Sequence, residues 1–277
     1  MLKLMTMSFV LITWVSLSTS IQAADLFPDK NLEAAIKKTL NKGEKDALKE
    51  EDLKNVFILH ANNSGIKDLT GLEKCFNLAE LKLSGNEISD LKPLAELKNC
   101  QSLYLSGNKI ADISPLKGWE KLQHIELENN QVKSLEAFKD LKKMASMYLA
   151  HNRIESLEPL TGLEKLASLD VSYNKIKDVG PIKNITRVMS LNLRDNQVVD
   201  LKPLTSMTDL RYTQLQNNKI TDLSPVVEMA KKDVAGAKNF APYWNLYLAG
   251  NPLSDDAKSK QIDELKKLGV RVNLELK

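Results

Sequence analysis

One interval organises most of this sequence: an asparagine returns every 22 residues, seven times in succession. Each asparagine follows a short segment in which apolar and polar residues alternate, as in Leu103-Tyr104-Leu105 before Asn108. A repeat of this length is one small structural unit that can bury its apolar side only against its neighbours, so the units must stack. The sequence therefore predicts an elongated repeat array. The seven asparagines are Asn86, Asn108, Asn130, Asn152, Asn174, Asn196 and Asn218.

Each unit divides into a strand and a turn. The alternation with a period of two predicts a short strand with one buried face, and the strands of successive units would lie side by side in a parallel sheet. The asparagine comes where the strand ends, and its amide can bond to backbone groups that would otherwise be buried without partners. Proline recurs in the second half of most units, as at Pro93 and Pro115, and limits that half to short turns or 3₁₀ segments.

The array extends beyond the seven regular copies. A first unit is in register at Leu59 but carries Ser64 in the asparagine position, and a last unit ends near Asn251 after an insertion of 11 residues. Residues 56–253 are therefore predicted to form nine repeats. The insertion lies near 230–241, and its alanine-rich and charged composition predicts a longer helix on the convex side.

A repeat array exposes apolar surface at both ends, so both ends need covers. Residues 24–55 contain an apolar stripe at helical spacing, with Asp29 available as a cap, and predict an N-terminal helical cap. Residues 254–277 contain a helix-like stretch stopped by Gly269, followed by alternating apolar residues from Val270 to Leu274. They predict a C-terminal cap of one helix and one strand that closes the open end of the sheet.

The unit that begins at Leu78, with the pattern L-x-x-L-x-L-x-x-N-x-I-x-D-L-x-P-L, resembles the 22-residue leucine-rich repeats of bacterial internalin-like secreted proteins. The same class of repeat occurs in the nuclear regulatory subunit of protein phosphatase 1. The resemblance spans residues 56–253 and implies an α/β solenoid, a curved right-handed leucine-rich-repeat array with a concave parallel β-sheet. Such repeats are scaffolds for many partners, so the resemblance implies a binding module without naming its ligand.

Residues 1–23 have the layout of a secretory signal peptide. Lys3 precedes an apolar stretch from Leu4 to Leu17, and small or polar residues follow up to Ala23. A buried first helix and a retained membrane anchor are the alternatives, although the stretch has no polar helical face and is shorter than the roughly 20 residues that span a bilayer. We expect this segment to be removed, with no stable membrane insertion afterwards and a secreted or periplasmic mature protein.

Charge and residue usage argue against several classes of function. Lysine and arginine number 39 against 36 aspartates and glutamates, and the two signs are interleaved, so no nucleic-acid partner is expected. Three scattered histidines and two cysteines do not match the spacings of metal sites, and we expect neither a metal nor another cofactor. Cys75 and Cys100 lie at core positions of non-adjacent units, which favours two buried thiols, although an exported chain permits a disulfide. A monomer is expected.

Adding 22 repeatedly to one strand position produces a column of side chains on the concave face, and two further columns flank it. The columns mix tyrosines with charged and amide side chains, Gln216 among them, and all are expected to be exposed. Tyrosine supplies contact area at low entropy cost, so this mixture favours a protein interface over an ordinary solvated face. The candidate partner-binding residues are Tyr104, His124, Glu126, Glu128, Tyr148, Asp170, Arg194, Tyr212 and Tyr247.

These residues indicate binding more strongly than catalysis. His124, Glu126, Tyr148 and Asp170 could together shuttle a proton, but an open face neither excludes water nor supplies an oxyanion hole. The sequence therefore predicts an exported, non-catalytic protein-binding module. A glycan or cell-wall binding module is one alternative. An intracellular protein resembling the phosphatase regulator is the other, and it would require residues 1–23 to stay unprocessed inside the cell.

Overall fold

Each repeat contributes one three-residue strand to a parallel sheet whose strands follow one another in chain order. The structure, a computed structural model, describes residues 26–275, so the predicted signal peptide lies outside the described residues. Within that range the strands are β1 (Ile58–His60), β2 (Glu80–Lys82), β3 (Ser102–Tyr104), β4 (His124–Glu126), β5 (Ser146–Tyr148), β6 (Ser168–Asp170), β7 (Ser190–Asn192), β8 (Tyr212–Gln214), β9 (Asn245–Tyr247) and β10 (Arg271–Asn273).

The sheet keeps the register that the repeat predicts. Leu59 pairs with Leu81 across β1 and β2, and the 22-residue step continues to β7 and β8. At the insertion the step widens, and Thr213 pairs with Leu246. The first unit joins the sheet in register although it carries Ser64, whose backbone N–H donates to Asn86 of the following unit.

Two helices, α1 (Lys30–Thr39) and α2 (Glu50–Leu53), cover the N-terminal end of the sheet. The apolar stripe of α1 faces inward, since Leu32 and Ile36 are buried in the same core as the first repeat. The helix therefore has the place and orientation that its spacing predicts.

Asp29 joins this helix to the first repeat. Its Oδ1 accepts the backbone N–H groups of Asn31 and Leu32 at 2.9 and 3.1 Å, which caps α1. Its Oδ2 accepts the N–H groups of Lys67 and Asp68 at 2.8 and 3.2 Å, a contact that the helix pattern does not predict. Burial opposes ionisation, but the four N–H donors outweigh it and lower the Asp29 pKa below its ordinary value.

Short 3₁₀ turns return the chain on the other side of the sheet. Proline lies near the start of most of them, where its missing N–H has no partner to lose. The unit with Glu136 and Ala137 where most others have proline forms the same turn. The 3₁₀ segments are Leu72–Lys74, Lys92–Leu94, Ser114–Leu116, Glu136–Phe138, Glu158–Leu160, Gly180–Ile182, Lys202–Ser206 and Ala241–Tyr243.

The insertion converts one of these turns into a helix. The proline pattern predicts only a short turn at Pro225, but α3 spans Ser224–Ala235 and begins there. Proline is compatible with both structures, because it suits the first turn of an α-helix as well as a 3₁₀ turn. The predicted longer helix is therefore present, and it starts before 230–241 and ends within that range.

The C-terminal end is covered by α4 (Ile262–Lys267), which follows the π-helical turn Ala257–Gln261, and by β10. β10 pairs with β9 and extends the sheet, as the alternation predicts. That alternation does not continue to its predicted end, since Leu274 is exposed. β10 ends at Asn273, and no further repeat follows it among the described residues to cover the next apolar side chain.

The eight asparagines bond to the backbones of adjacent units. Asn152 illustrates the pattern: Oδ1 accepts the Val132 N–H at 2.9 Å, and Nδ2 donates to the carbonyls of Leu127 and Leu149 at 2.8 and 3.0 Å. One side chain thus bonds to the backbone of its own unit and to that of the preceding unit. We call this set the asparagine ladder, formed by Asn86, Asn108, Asn130, Asn152, Asn174, Asn196, Asn218 and Asn251.

The residue before each ladder asparagine, and before Ser64 in the first unit, has a left-handed backbone. Gly85, Gly107 and Gly250 take this position with φ of 71°, 70° and 74°, which glycine adopts at no steric cost. Other units place larger residues there with φ of 53° to 56°, so the repeat imposes this turn whatever the side chain. Those residues are Asn63, Asn129, His151, Tyr173, Asp195 and Asn217.

Cys75 and Cys100 are buried as free thiols, in agreement with the interpretation favoured from their spacing. Each occupies a position that holds a large apolar side chain in neighbouring units, such as Leu97 one unit after Cys75. Burial disfavours the thiolate and raises the pKa of both thiols to about 12.

Candidate partner-binding face

The sheet places the predicted central column at consecutive strand positions. Tyr104 lies opposite Glu126, Glu126 opposite Tyr148, and Tyr148 opposite Asp170. All four side chains are half-buried. Neighbouring strands are about 4.8 Å apart, so the row spans roughly 14 Å.

An aromatic cluster lies across this row. The His124 ring centroid is 4.9 Å from that of Tyr104 and 5.6 Å from that of Tyr148, within the range of aromatic pairs. His124 Nε2 lies 3.2 Å from Glu126 Oε1, and the Lys82 ammonium lies 4.9 Å from the centre of the Tyr104 ring. His124 therefore connects two tyrosines that are two strands apart. We call Tyr104, His124 and Tyr148 the aromatic cluster.

The Lys82 end of the row is held by ion pairs. Glu80 Oε1 lies 2.7 Å from His60 Nε2 and 3.0 Å from Lys82 Nζ. The hydrogen bond from His60 is the main reason why the pKa of Glu80 is lowered, and the bond from Lys82 adds to it. These contacts place Lys82 beside Tyr104.

Asp170 closes the other end of the row and is held in one orientation. Its Oδ1 accepts the Ser172 N–H at 2.9 Å and the Ser172 hydroxyl at 2.7 Å, while Oδ2 accepts Asn192 Nδ2 at 2.8 Å. A carboxylate held this way has little conformational freedom left to lose when a ligand binds.

Glu128 lies in the flanking column and is hydrogen-bonded by the Ser106 hydroxyl. Burial raises its pKa, and the nearby charges of Glu126 and Asp170 raise it further, against the opposing effect of the Ser106 bond. Glu126, Glu128 and Asp170 thus border the aromatic cluster. Ionising Glu128 costs more free energy than ionising an exposed glutamate.

Arg194 belongs to a separate stack at the edge where the strands end. Its guanidinium carbon lies 5.6 Å from the Tyr173 ring centroid, and Nε donates to Asp195 at 2.9 Å. The His151 ring stacks on Tyr173 at 4.0 Å with an interplanar angle of 12°. Tyr173 is not among the residues predicted to bind a partner, although His151 and Tyr173 occupy the same position of adjacent repeats. That coincidence is the signal that could have found the stack.

Tyr212 and Tyr247 are not gathered with the aromatic cluster. They lie on β8 and β9, and strand spacing places them roughly 14 and 19 Å from Tyr148 on β5. Tyr212 is largely exposed and Tyr247 is half-buried. The candidate residues therefore form one connected patch around the cluster and a distant group towards the C-terminal end.

The expectation that Gln216 is exposed is wrong, because its side chain is only 4% exposed. Its column lies where the chain turns inward after each strand, two residues before a ladder asparagine. Ala150, Ser172 and Ala249 occupy the same position in other units and are buried as well. Fewer side chains of this column reach the open face than the 22-residue spacing predicts.

The exposed groups suit binding by contact and charge. Among the described residues, no group of three or more histidine, cysteine, aspartate or glutamate side chains is placed to hold a metal ion. In the same range, no helix is both long and apolar enough to cross a lipid bilayer.

Solved structures share this architecture along most of the chain. An internalin of Listeria monocytogenes, InlF, is 30% identical with a TM-score of 0.78, and the match covers 90% of this chain and 76% of that protein. The chain belongs to the internalin-like family of leucine-rich-repeat proteins. Internalin C2 of the same species is 28% identical to this internalin-like chain with a TM-score of 0.63, and the match covers 90% of the chain and 95% of that protein.

Further matches to the internalin-like chain are more limited. InlJ of Listeria monocytogenes is 22% identical with a TM-score of 0.55, over 86% of this chain and 59% of that protein, and shows the fold alone. A family model for the leucine-rich-repeat domain of the endo-β-N-acetylglucosaminidase EndoS matches residues 27–152, and a leucine-rich-repeat model matches residues 162–181. No curated protein sequence matches at a significant level. These matches confirm the predicted repeat class and solenoid fold.

Proposed function

We propose that this internalin-like chain is an exported, non-catalytic protein-binding module whose ligand docks on the sheet face around the aromatic cluster. The observation that carries the proposal is the cluster itself, three rings from three consecutive strands on an open face, with His124 in contact with both tyrosines. An interface centre of this kind supplies a large contact area from preorganised side chains.

The tyrosines are the expected energetic centre. Tyrosine is enriched among interface residues whose truncation costs about 2 kcal/mol or more, whereas small polar neighbours contribute little. Tyr104 and Tyr148 are each held by a ring contact to His124, so little side-chain freedom remains to be lost when a partner binds.

Charge surrounds the cluster unevenly. Lys82 lies beside Tyr104, while Glu126, Glu128 and Asp170 lie towards the other side. A partner with basic groups near these carboxylates would associate faster at low salt. We therefore expect its association rate to fall as the salt concentration rises.

Export is the second component of the proposal. The tripartite segment of residues 1–23, ending at Ala23, supports removal by a signal peptidase. N-terminal sequencing of the protein from its native host should give a first residue at or near Ala24. A mature chain that still begins at Met1 would contradict export by this route.

A glycan-binding module is the second candidate function. The match of residues 27–152 to the leucine-rich-repeat domain of an endoglycosidase favours it, because the aromatic cluster lies within that range. Aromatic rings can pack against the apolar face of a sugar as they can against a peptide. Binding assays must therefore include host or cell-wall polysaccharides beside protein partners.

The decisive experiment captures a partner with the mature chain from the native exterior and then removes two rings. We expect Tyr104→Ala combined with Tyr148→Ala to lose most of the affinity while melting like the wild type. A control with Phe76→Ala and Tyr243→Ala removes two exposed rings elsewhere and should keep it. Equal affinity in the two double variants would exclude the cluster as the site, and capture of a polysaccharide instead of a protein would support the second candidate.

A further inference from the structure

A groove of about 410 Å³ crosses the edge of the sheet where the chain enters the strands. It runs across several repeats instead of along one, and its walls carry Lys143, Lys165 and Arg187. We call it the basic groove. None of its residues belongs to the aromatic cluster.

The three basic residues and Asp209 occupy one position of four consecutive repeats, since they are 22 residues apart. The repeat before them has Lys121 at this position, but its ammonium already donates to Asn99 Oδ1 at 2.7 Å. The groove thus presents three cations in a row, followed by one carboxylate at the C-terminal end.

The three cations are exposed and have no acidic partner among the described residues. Several lysines elsewhere in the described part of the chain are paired, as Lys109 is with Glu87 at 2.7 Å. Like charges at one position of three adjacent repeats repel one another, and only Asp209 at the end of the row opposes this repulsion within the groove. A ligand that carries negative charge would offset it.

The floor of the groove is apolar and its backbone is satisfied. Ala145 and Ala167 leave room for close approach, and Met189 is 49% exposed. The carbonyl oxygens of Ala145 and Ala167 each accept two N–H groups from the next unit. A ligand would therefore be recognised by the charged walls and the apolar floor, and not by strand addition.

We infer that the basic groove binds an extended acidic segment of a protein partner, with acidic side chains over Lys143, Lys165 and Arg187 and a basic residue over Asp209. Side chains on one side of an extended peptide recur every ~6.6 Å, so two or three of them can reach a row of long, flexible cationic side chains from three adjacent repeats. The surface is separate from the one in the proposed function.

Asp209 and the apolar floor distinguish this ligand from a uniform polyanion. A sulfated glycan or a nucleic acid carries negative charge along its whole length and would be repelled at Asp209. A peptide can place a positive side chain there and an apolar one against Met189. The groove therefore fits a peptide of mixed charge.

The test uses the mature chain and a fluorescent peptide in which four glutamates alternate with serines and one lysine closes an end. We expect saturable binding at low salt, weakened about tenfold in Lys165→Gln combined with Arg187→Gln, because two charge pairs are lost. The matched control, Lys117→Gln combined with Lys139→Gln, removes the same charge from exposed turn positions and should change affinity by less than about twofold.

Asp209→Lys distinguishes a ligand of mixed charge from a uniformly negative one. It should weaken binding of this peptide and strengthen binding of a peptide without the lysine. The inference is overturned by an absence of binding at low salt, by equal losses in the two double variants, or by tighter binding of a heparin-type oligosaccharide than of the peptide. Binding of the aromatic-cluster partner is a separate readout, because the groove variants leave Tyr104 and Tyr148 in place.

Discussion

Replacing Asn152 by alanine tests how the asparagine ladder stabilises the array. The substitution removes the bond from the Val132 N–H to Oδ1 and the bonds from Nδ2 to the carbonyls of Leu127, Leu149 and Ala150. If each bond contributed independently, the four losses would add. The connectivity of the ladder indicates a smaller effect.

Adjacent ladder residues share their carbonyl acceptors. After the substitution, the Leu127 carbonyl keeps the bond from Asn130 Nδ2 at 3.1 Å, and the Leu149 carbonyl keeps the bond from Asn174 Nδ2 at 3.0 Å. The Ala150 carbonyl keeps the bond from the Asn129 N–H at 2.9 Å. The Val132 N–H has no second acceptor among the described residues. One backbone donor is therefore left without a partner.

An unpaired buried N–H costs about 1–3 kcal/mol, and the lost amide adds a small cavity. Because all three carbonyls stay bonded, we expect the free energy of unfolding to fall by about 2 kcal/mol, which corresponds to a melting temperature lower by roughly 4–8 °C for a chain of this size. The Val132 amide should also exchange its hydrogen faster than in the wild type.

Thermal unfolding followed by circular dichroism measures the shift, with Asn184→Ala as the control at an exposed asparagine. Asn129→Ala, one residue from the ladder, is expected from the sequence to cost little. The structure makes it a poorer control, because φ of 56° at Asn129 places alanine in a left-handed backbone at a cost of about 1 kcal/mol. Equal melting shifts for Asn152→Ala and Asn184→Ala would refute the ladder argument.

Three further predictions follow from pKa values and contacts. The raised pKa of Glu128 means that its ionisation weakens the folded state, so Glu128→Gln should raise the melting temperature at neutral pH, with the gain vanishing as the pH falls below the ordinary glutamate value. The lowered pKa of Asp29 contributes stability above its ordinary value of 3.8 that is lost as the pH falls through the lower folded value. Asp29→Ala should therefore lower stability by about 1–2 kcal/mol at neutral pH in denaturant titrations and much less in strong acid. Cys75 and Cys100, with pKa values of about 12, should resist a thiol reagent at pH 8 until the chain is unfolded.

The local sequence pattern predicted the structure correctly wherever every unit makes the same interactions. The interval between asparagines predicted the strand register from Leu59 to Thr213, and the position of Asp29 predicted the cap of α1. The proline pattern predicted the wrong element at Pro225, because proline suits the start of both a 3₁₀ turn and an α-helix. Which of the two forms depends on the inserted residues that follow.

The arrangement of the candidate partner-binding face was likewise predicted only in part. Adding 22 placed Tyr104, Glu126, Tyr148 and Asp170 in one row, since consecutive repeats put identical positions on neighbouring strands. It did not predict that His124 would contact both tyrosines, because that contact joins two different columns diagonally.

The sequence by itself determined the solenoid, its strand register and the places of its caps, because these depend on a period that every unit repeats. Only the tertiary structure decided which side chains meet across columns, that Gln216 is buried, that Asp29 also bonds to the first repeat, and that three unpaired cations line one groove. The reason is physical. Register follows from backbone hydrogen bonds that recur identically in each unit, whereas side-chain contacts and burial depend on how the chain turns between units and on which neighbours stand there.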